Sequence, residues 1–223
     1  MVPRIEDDFA DLDVPLLHQR TYLARSYREG DDRMRIRGAV QDIKPPGLYV
    51  PDDPDALEVH HMVVDLIVEF PSLTIVDANV VMETHPHREC VRIEDHYRNL
   101  IGLSIARGFT HKVRELFGGP RGCTHTTALL QAMAPVAIQS MWSLRFPGRG
   151  SSDQQVSASR RMTDEDRQSM LRFNLNSCHV WAEDGELIAH LLSGGEVHTP
   201  LWAEERMVAL GRDPALWREQ ARG

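Results

Sequence analysis

Ten consecutive residues limit the fold more than any other stretch of this chain. His61-Met62-Val63-Val64-Asp65-Leu66-Ile67-Val68-Glu69-Phe70 alternates two sets of side chains, with Met62, Val64, Leu66, Val68 and Phe70 on one face and His61, Val63, Asp65, Ile67 and Glu69 on the other. That period of two belongs to a β-strand and cannot form an amphipathic helix. Pro71-Ser72 then makes a tight connection into Leu73–Met82, where Ile75, Val81 and their alternates continue the β-branched pattern. Upstream, Met34, Ile36, Gly38 and Val40 alternate with Arg35, Arg37 and Ala39, which predicts a first strand over 33–43, stopped by Lys44-Pro45-Pro46. Three antiparallel strands are the simplest sheet.

Past Met82 the period changes. Ile93, Tyr97, Leu100 and Ile101 follow helical spacing, Phe109, Val113, Leu116 and Phe117 repeat it, and Gly118-Gly119-Pro120 ends that second helix. A third helix starts near Thr124 or Thr126 and carries Leu129, Met133, Val136 and Met141, with Pro135 placed to bend it. Gly, Ser and Gln from Pro147 to Ala158 predict a mobile linker, and Thr163-Asp164-Glu165-Asp166 predicts a further helix start. Asp184-Gly185 between Ser177–Trp181 and Glu186–Leu192 predicts a hairpin. The expected fold is α+β: an antiparallel sheet of three or more strands, a helical layer on one face, and a C-terminal helix plus hairpin. Its expected division is an N-terminal arm over 1–26, one domain over 27–192 and a helical tail over 193–223. In that tail Trp202, Met207, Leu210 and Trp217 form an apolar stripe suited to a second subunit or to the chain's own domain.

Composition narrows the partners. With 25 Lys plus Arg against 33 Asp plus Glu the formal charge is −8, which argues against a phosphate-binding surface and so against nucleic acid. No apolar run reaches the roughly 20 residues of a membrane helix, and Met1 to Asp13 is acidic where a signal peptide is basic and then apolar. The expectation is a cytoplasmic protein. Three cysteines fit free thiols better than a disulfide framework.

The chemistry centres on Gly122-Cys123-Thr124-His125. Cys123 follows a glycine at the entrance of a helix, where free N–H groups and the positive dipole end favour a thiolate or a bound anion. His125 serves there as base, proton donor or metal ligand. The plain alternative is a buried thiol, a capping threonine and a surface imidazole. A second cluster, His85-Pro86-His87-Arg88-Glu89-Cys90, follows the last predicted strand, so the two loops can meet at one edge of the sheet. If a metal is bound, His85, Cys90, Cys123 and His125 are the ligand set, suited to zinc or iron. His60 and His61 lie on opposite faces of their strand, so only one of them joins a given site. Arg88 and Arg121 are candidate anchors for a carboxylate or phenolate.

Asp42-Ile43-Lys44-Pro45, the strand pair with Asp77, the Pro86 to Cys90 loop, Leu100-Ile101-Gly102, Gly108-Phe109 and Gly119-Pro120-Arg121-Gly122-Cys123-Thr124-His125 resemble the bacterial domain-of-unknown-function family 2889, over roughly residues 20–192. Thr126 departs from the leucine expected there. The order of sheet, cysteine loop and helices is also similar to iron–sulfur cluster scaffold proteins, although their first cluster cysteine has no counterpart here. The family resemblance implies breakdown of lignin-derived aromatic dimers by a carbon–carbon lyase of the aldehyde-lyase type, releasing formaldehyde in a retro-aldol-like step. Such a step needs a base, a donor for the departing oxygen and a water-poor aromatic pocket, and no redox cofactor. The residues assigned to it are His125 as base, Tyr97 or His85 as donor, Cys123 as a polarising or packing group, and Arg121, Arg88, Thr124 and His60 as substrate contacts. The expected partner is a small aromatic substrate, with no resident cofactor and a homo-oligomer left open. The alternatives are a metal-dependent enzyme on a similar substrate and a zinc or iron carrier without turnover.

Overall fold

The computed structural model describes residues 13–106, 108–144, 174–195 and 197–217, together with residues 5, 9, 168 and 171. The chain divides into two compact units, Met1–Phe146 and Pro147–Gly223.

The first unit is built on a four-stranded antiparallel sheet in the order β1-β2-β3-β4, with β1 at Gln19–Arg28, β2 at Arg33–Lys44, β3 at Leu57–Glu69 and β4 at Thr74–Thr84. The three alternating runs of the sequence became β2, β3 and β4. β1 is the addition, and it falls largely in the expected N-terminal arm. None of its side chains is fully buried, and Leu23 and Tyr27 are about half exposed. It is an edge strand held by its backbone ladder to β2, so it lacks the apolar contrast that marks a strand in a sequence.

Met34, Ile36 and Val40 of β2, Met62, Val64, Leu66 and Val68 of β3, and Ile75, Ala78, Val80 and Met82 of β4 form one buried face. A helical layer covers it. The first predicted helix is a 3-10 helix, Cys90–Leu100, whose three-residue turn puts Tyr97 and Leu100 inward and leaves Ile101 exposed. Helix α1, Phe109–Phe117, buries Phe109, Val113 and Phe117 at the i, i+4, i+8 positions. Helix α2, Thr124–Leu144, buries Leu129, Leu130, Met133, Ala137 and Met141 and continues through Pro135. Arg28 of β1 caps its far end, with Nη2 donating to the Leu144 carbonyl at 2.7 Å.

One glycine sets how close α2 comes to the sheet. A Cβ on Gly38 would stand 2.5 Å from Met133 Sδ and 3.1 Å from Leu129 Cδ1. With only hydrogen at that point, α2 lies directly on β2.

In the second unit the expected hairpin is absent. Glu186–Leu192 is a helix, α3, and the segment before it holds a 3-10 turn at His179–Trp181. Glu, Leu, Ile, Ala and His without alternation favour helix once Gly185 starts it, which outweighs the Asp184-Gly185 turn signal. Asn176 organises the preceding loop, accepting the Glu183 N–H on Oδ1 at 3.1 Å and donating its own N–H to the Trp181 carbonyl at 2.8 Å. Helix α4, Leu201–Ala209, buries Ala203 and Met207, while Trp202 stays exposed and meets Trp217 edge-on at 5.8 Å. The predicted linker at 147–158 and helix start at 163–166 lie outside the described residues.

Candidate functional site

The buried face of the sheet does not end in apolar residues. Asp42 continues the inward row Met34, Ile36, Gly38, Val40, and it retains only 1% of its exposure. Strand register sets its neighbours: Arg20 of β1 and His60 of β3 are its direct cross-strand partners. Cβ atoms of such pairs stand about 5 Å apart. Arg20 therefore grips the carboxylate with both ends of its fork, Nε donating to Oδ1 at 2.6 Å and Nη2 to Oδ2 at 2.7 Å. His60 Nδ1 lies 3.1 Å from Oδ2, and His18 Nε2, two residues before Arg20, lies 3.3 Å from Oδ1.

The fourth partner comes from the helical layer. Between Met133 over Gly38 and His125 there are eight helical residues, about 12 Å of rise. Between Gly38 and Asp42 there are four strand residues, about 13 Å. The two advances match, so the first turn of α2 ends above Asp42, and His125 Nε2 lies 3.2 Å from Oδ2. The imidazoles of His60 and His125 stack, with ring centroids 4.0 Å apart and planes at 28°.

An ionised carboxylate only accepts, so the facing nitrogens, His60 Nδ1 and His125 Nε2, carry the ring protons. That leaves the lone pair of His125 on Nδ1, which lies 3.7 Å from Cys123 Sγ. Carboxylate, imidazole and thiol thus form one row. Burial pushes the Asp42 carboxyl up, but the hydrogen bonds and charge of Arg20, with His125 and His18, outweigh it and hold the group down at about 2. His125 is pushed below the ordinary histidine value by burial first and then by His60 and Arg20, with Asp42 acting in the opposite direction. The site therefore holds an ionised acid beside a neutral base at neutral pH.

The Gly-Cys-Thr-His turn is built around Tyr97. Its hydroxyl accepts the Cys123 N–H at 2.8 Å and donates to the Cys123 carbonyl at 3.3 Å, and its ring stacks on Phe117 at 4.6 Å. A Cβ on Gly122 would collide with the Phe117 carbonyl and stand 3.0 Å from the Tyr97 hydroxyl. The glycine is needed for this close approach. The Cys123 N–H is thus taken by Tyr97 and is not open to an anion.

Of the residues singled out in the sequence, His60, Cys123 and His125 come together. Tyr97 reaches the turn from below, 1% exposed. Arg121 is occupied at the end of α1, its Nε donating to the Glu115 carbonyl at 2.9 Å, and Thr124 is exposed. His85 closes its own loop, Nδ1 lying 2.9 Å from the His87 carbonyl; Arg88 is exposed and Cys90 half-buried. His61, on the other face as alternation requires, pairs with Glu58 at 3.6 Å. Among the described residues, the group of three or more Asp, Glu, His and Cys side chains whose ligand atoms all lie within 4.8 Å of one another is Asp42, His60 and His125, without His85 or Cys90. Thr126 is fully buried in the helical layer.

Asp42, Arg20 and His18 were not singled out as site residues. Asp42 had a signal, a carboxylate in phase with four core positions of its strand. Arg20 and His18 had none, because β1 itself was not legible.

A groove of about 220 Å³ lined by Leu23, Tyr27, Arg37, Val63 and Val81 lies on the opposite face of the sheet. At the cluster, access is through the partly exposed edges of His18 and Arg20, each 36% exposed, and of His60 and His125, at 22% and 16%.

The family model described as "Protein of unknown function (DUF2889)" matches residues 18–139, from His18 through the first three-quarters of α2, and so contains the whole cluster. No curated protein and no solved structure matches the chain. Among the described residues, no helix is long and apolar enough to cross a membrane.

Proposed function

The chain belongs to the DUF2889 family of proteins of unknown function, and from that premise we propose that it is a carbon–carbon lyase of the aldehyde-lyase type. Its substrate is a phenolic compound with a primary alcohol, such as a lignin-derived aromatic dimer, from which it releases formaldehyde. The observation that carries this reading is the position of His125, held on Nε2 by a buried, ionised Asp42 and left with its lone pair on Nδ1.

In this reading His125 Nδ1 takes the proton of the substrate hydroxyl. The alkoxide collapses to formaldehyde as the carbon–carbon bond breaks, its electrons form a double bond to the neighbouring ring-bearing carbon, and the hydroxyl on that carbon leaves and takes up a proton to become water. Oxidation state is conserved across the products. Asp42 stabilises the imidazolium formed on His125, the part a carboxylate plays behind a catalytic imidazole. Tyr97 and His85 are engaged elsewhere and the ring proton of His60 faces Asp42, so the proton taken up on His125 Nδ1 is the one that passes to the departing oxygen, with His60 stacked against the base. Arg20 keeps Asp42 ionised and fixed.

The test is formaldehyde trapping with a panel of phenolic dimers that bear a primary alcohol. Wild type is expected to release one formaldehyde per aromatic product. His125→Ala is expected to lose about 10²- to 10⁴-fold in rate, while Cys123→Ala keeps its rate within about tenfold, since sulfur only borders the base. Absence of formaldehyde across the panel, or full activity in His125→Ala, overturns the reading.

A further inference from the structure

We propose that Asp42 Oδ2, His60 Nδ1 and His125 Nε2 form a binding site for one divalent transition-metal ion of the zinc class. The three atoms already stand at ligand spacing. Oδ2 is 3.1 Å from His60 Nδ1 and 3.2 Å from His125 Nε2, and all three lie within 4.8 Å of one another. Around a tetrahedral ion with bonds of about 2.0–2.2 Å, neighbouring ligand atoms stand about 3.3–3.5 Å apart. The two carboxylate contacts have only a few tenths of an ångström to open to reach that spacing, and the two histidine nitrogens, within 4.8 Å of each other, close onto the ion.

The donor types select the ion. Two imidazoles and one carboxylate suit zinc, cobalt, nickel or iron(II), whereas calcium and magnesium require oxygen throughout. Three protein ligands leave a fourth position for water, the pattern of a reactive rather than a purely structural centre. Arg20 does not have to leave. A carboxylate oxygen accepts along two directions, and the single Arg20 contact to Oδ2 leaves one of them open.

Proton bookkeeping closes without an outside acid or base. Each neutral imidazole moves its one ring proton to the nitrogen facing away from the ion. In His125 that nitrogen is Nδ1, and its new N–H points to Cys123 Sγ at 3.7 Å, a weak acceptor that fixes the ring.

The experiment uses the full chain and the metal alone. Metal-free protein is titrated with cobalt(II) and followed by visible absorption, and the zinc-loaded wild type is examined by X-ray absorption spectroscopy. Expected are one cobalt per chain and a zinc shell of nitrogen and oxygen only, at about 2.0–2.2 Å. His60→Gln and His125→Ala should each weaken binding at least about tenfold, and Cys90→Ala should not change it. Three results overturn the site: no saturable binding in wild type, sulfur at about 2.3 Å in the shell, or unchanged affinity in both histidine variants. Because the shell is read in the wild type, a variant that fails to fold leaves the test decisive. The outcome is separate from the lyase reading, since binding is measured with no substrate and formaldehyde release with metal-free protein, in which His125 Nδ1 keeps its lone pair: a protein that binds cobalt but releases no formaldehyde when metal-free sinks only the lyase, and a lyase that binds no cobalt sinks only the metal site.

Discussion

Asp42 is a carboxylate with almost no exposed surface, and its surroundings make that tolerable. A buried charge without partners costs several kcal/mol, while a paired and hydrogen-bonded one approaches neutrality. Arg20 supplies the pairing, so Arg20→Gln should leave the carboxylate half-satisfied. The expected cost is about 1–3 kcal/mol in urea denaturation, reduced from the fully buried case because Arg20 is 36% exposed. The depressed acidity also fixes a pH dependence. Asp42 titrates near 2 when folded and at the ordinary 3.8 when unfolded. It therefore adds stability that is complete above about pH 4 and is lost as the pH falls from 4 through 2, by about 2 kcal/mol. Urea midpoints measured between pH 5 and 2 should show that loss in wild type and a flatter curve in Asp42→Asn. The residue scale is also where the sequence was least readable. Tyr97 and Arg121 are chemically fit to act as donor and anchor, but their hydrogen-bonding groups are taken by backbone atoms of the Cys123 turn and of α1, and side-chain type alone does not reveal such a commitment.

At the scale of elements, three strands and two α-helices of the first unit follow from periodicity, because each buries one face against the same core. The two departures have physical causes. β1 is stabilised by its ladder to β2 and so shows no apolar period; the second unit's hairpin gave way to α3 because a two-residue turn signal is weaker than a run of seven residues that holds five strong helix formers. The same parity that placed Met62 inward placed His60 inward too, and extending it along β2 reaches Asp42, so half of the site was legible as strand phase. What periodicity does not supply is the height of α2 above the sheet, which Gly38 sets. Gly38→Ala should destabilise the protein by about 1–3 kcal/mol through overpacking against Met133. Pairing it with Met133→Ala should recover part of that loss, giving a non-additive double-mutant cycle of about 0.5–3 kcal/mol. Additive costs would mean that α2 does not rest on Gly38.

For the whole molecule, the family match and the cluster both lie inside the first unit, which runs to Phe146. This unit has its own sheet, helical layer and core, so a chain ending at Phe146 should unfold in one cooperative transition and retain the histidine cluster. Circular dichroism during thermal unfolding checks this, and a non-cooperative melt would show that the second unit is needed. The excess of acid over base, −8 in all, leaves the Asp42 cluster as a local exception in which Arg20 and three histidines surround one carboxylate. Both the lyase and the metal proposals depend on that convergence. Its most direct test is nitrogen-15 NMR of the histidine rings in wild type and Asp42→Asn. The ring signals of His60 and His125 should show protons on Nδ1 and Nε2 respectively, held against exchange in wild type, and should shift in Asp42→Asn while His85 stays unchanged. Ring signals of His60 and His125 that exchange freely and ignore the substitution would contradict the account.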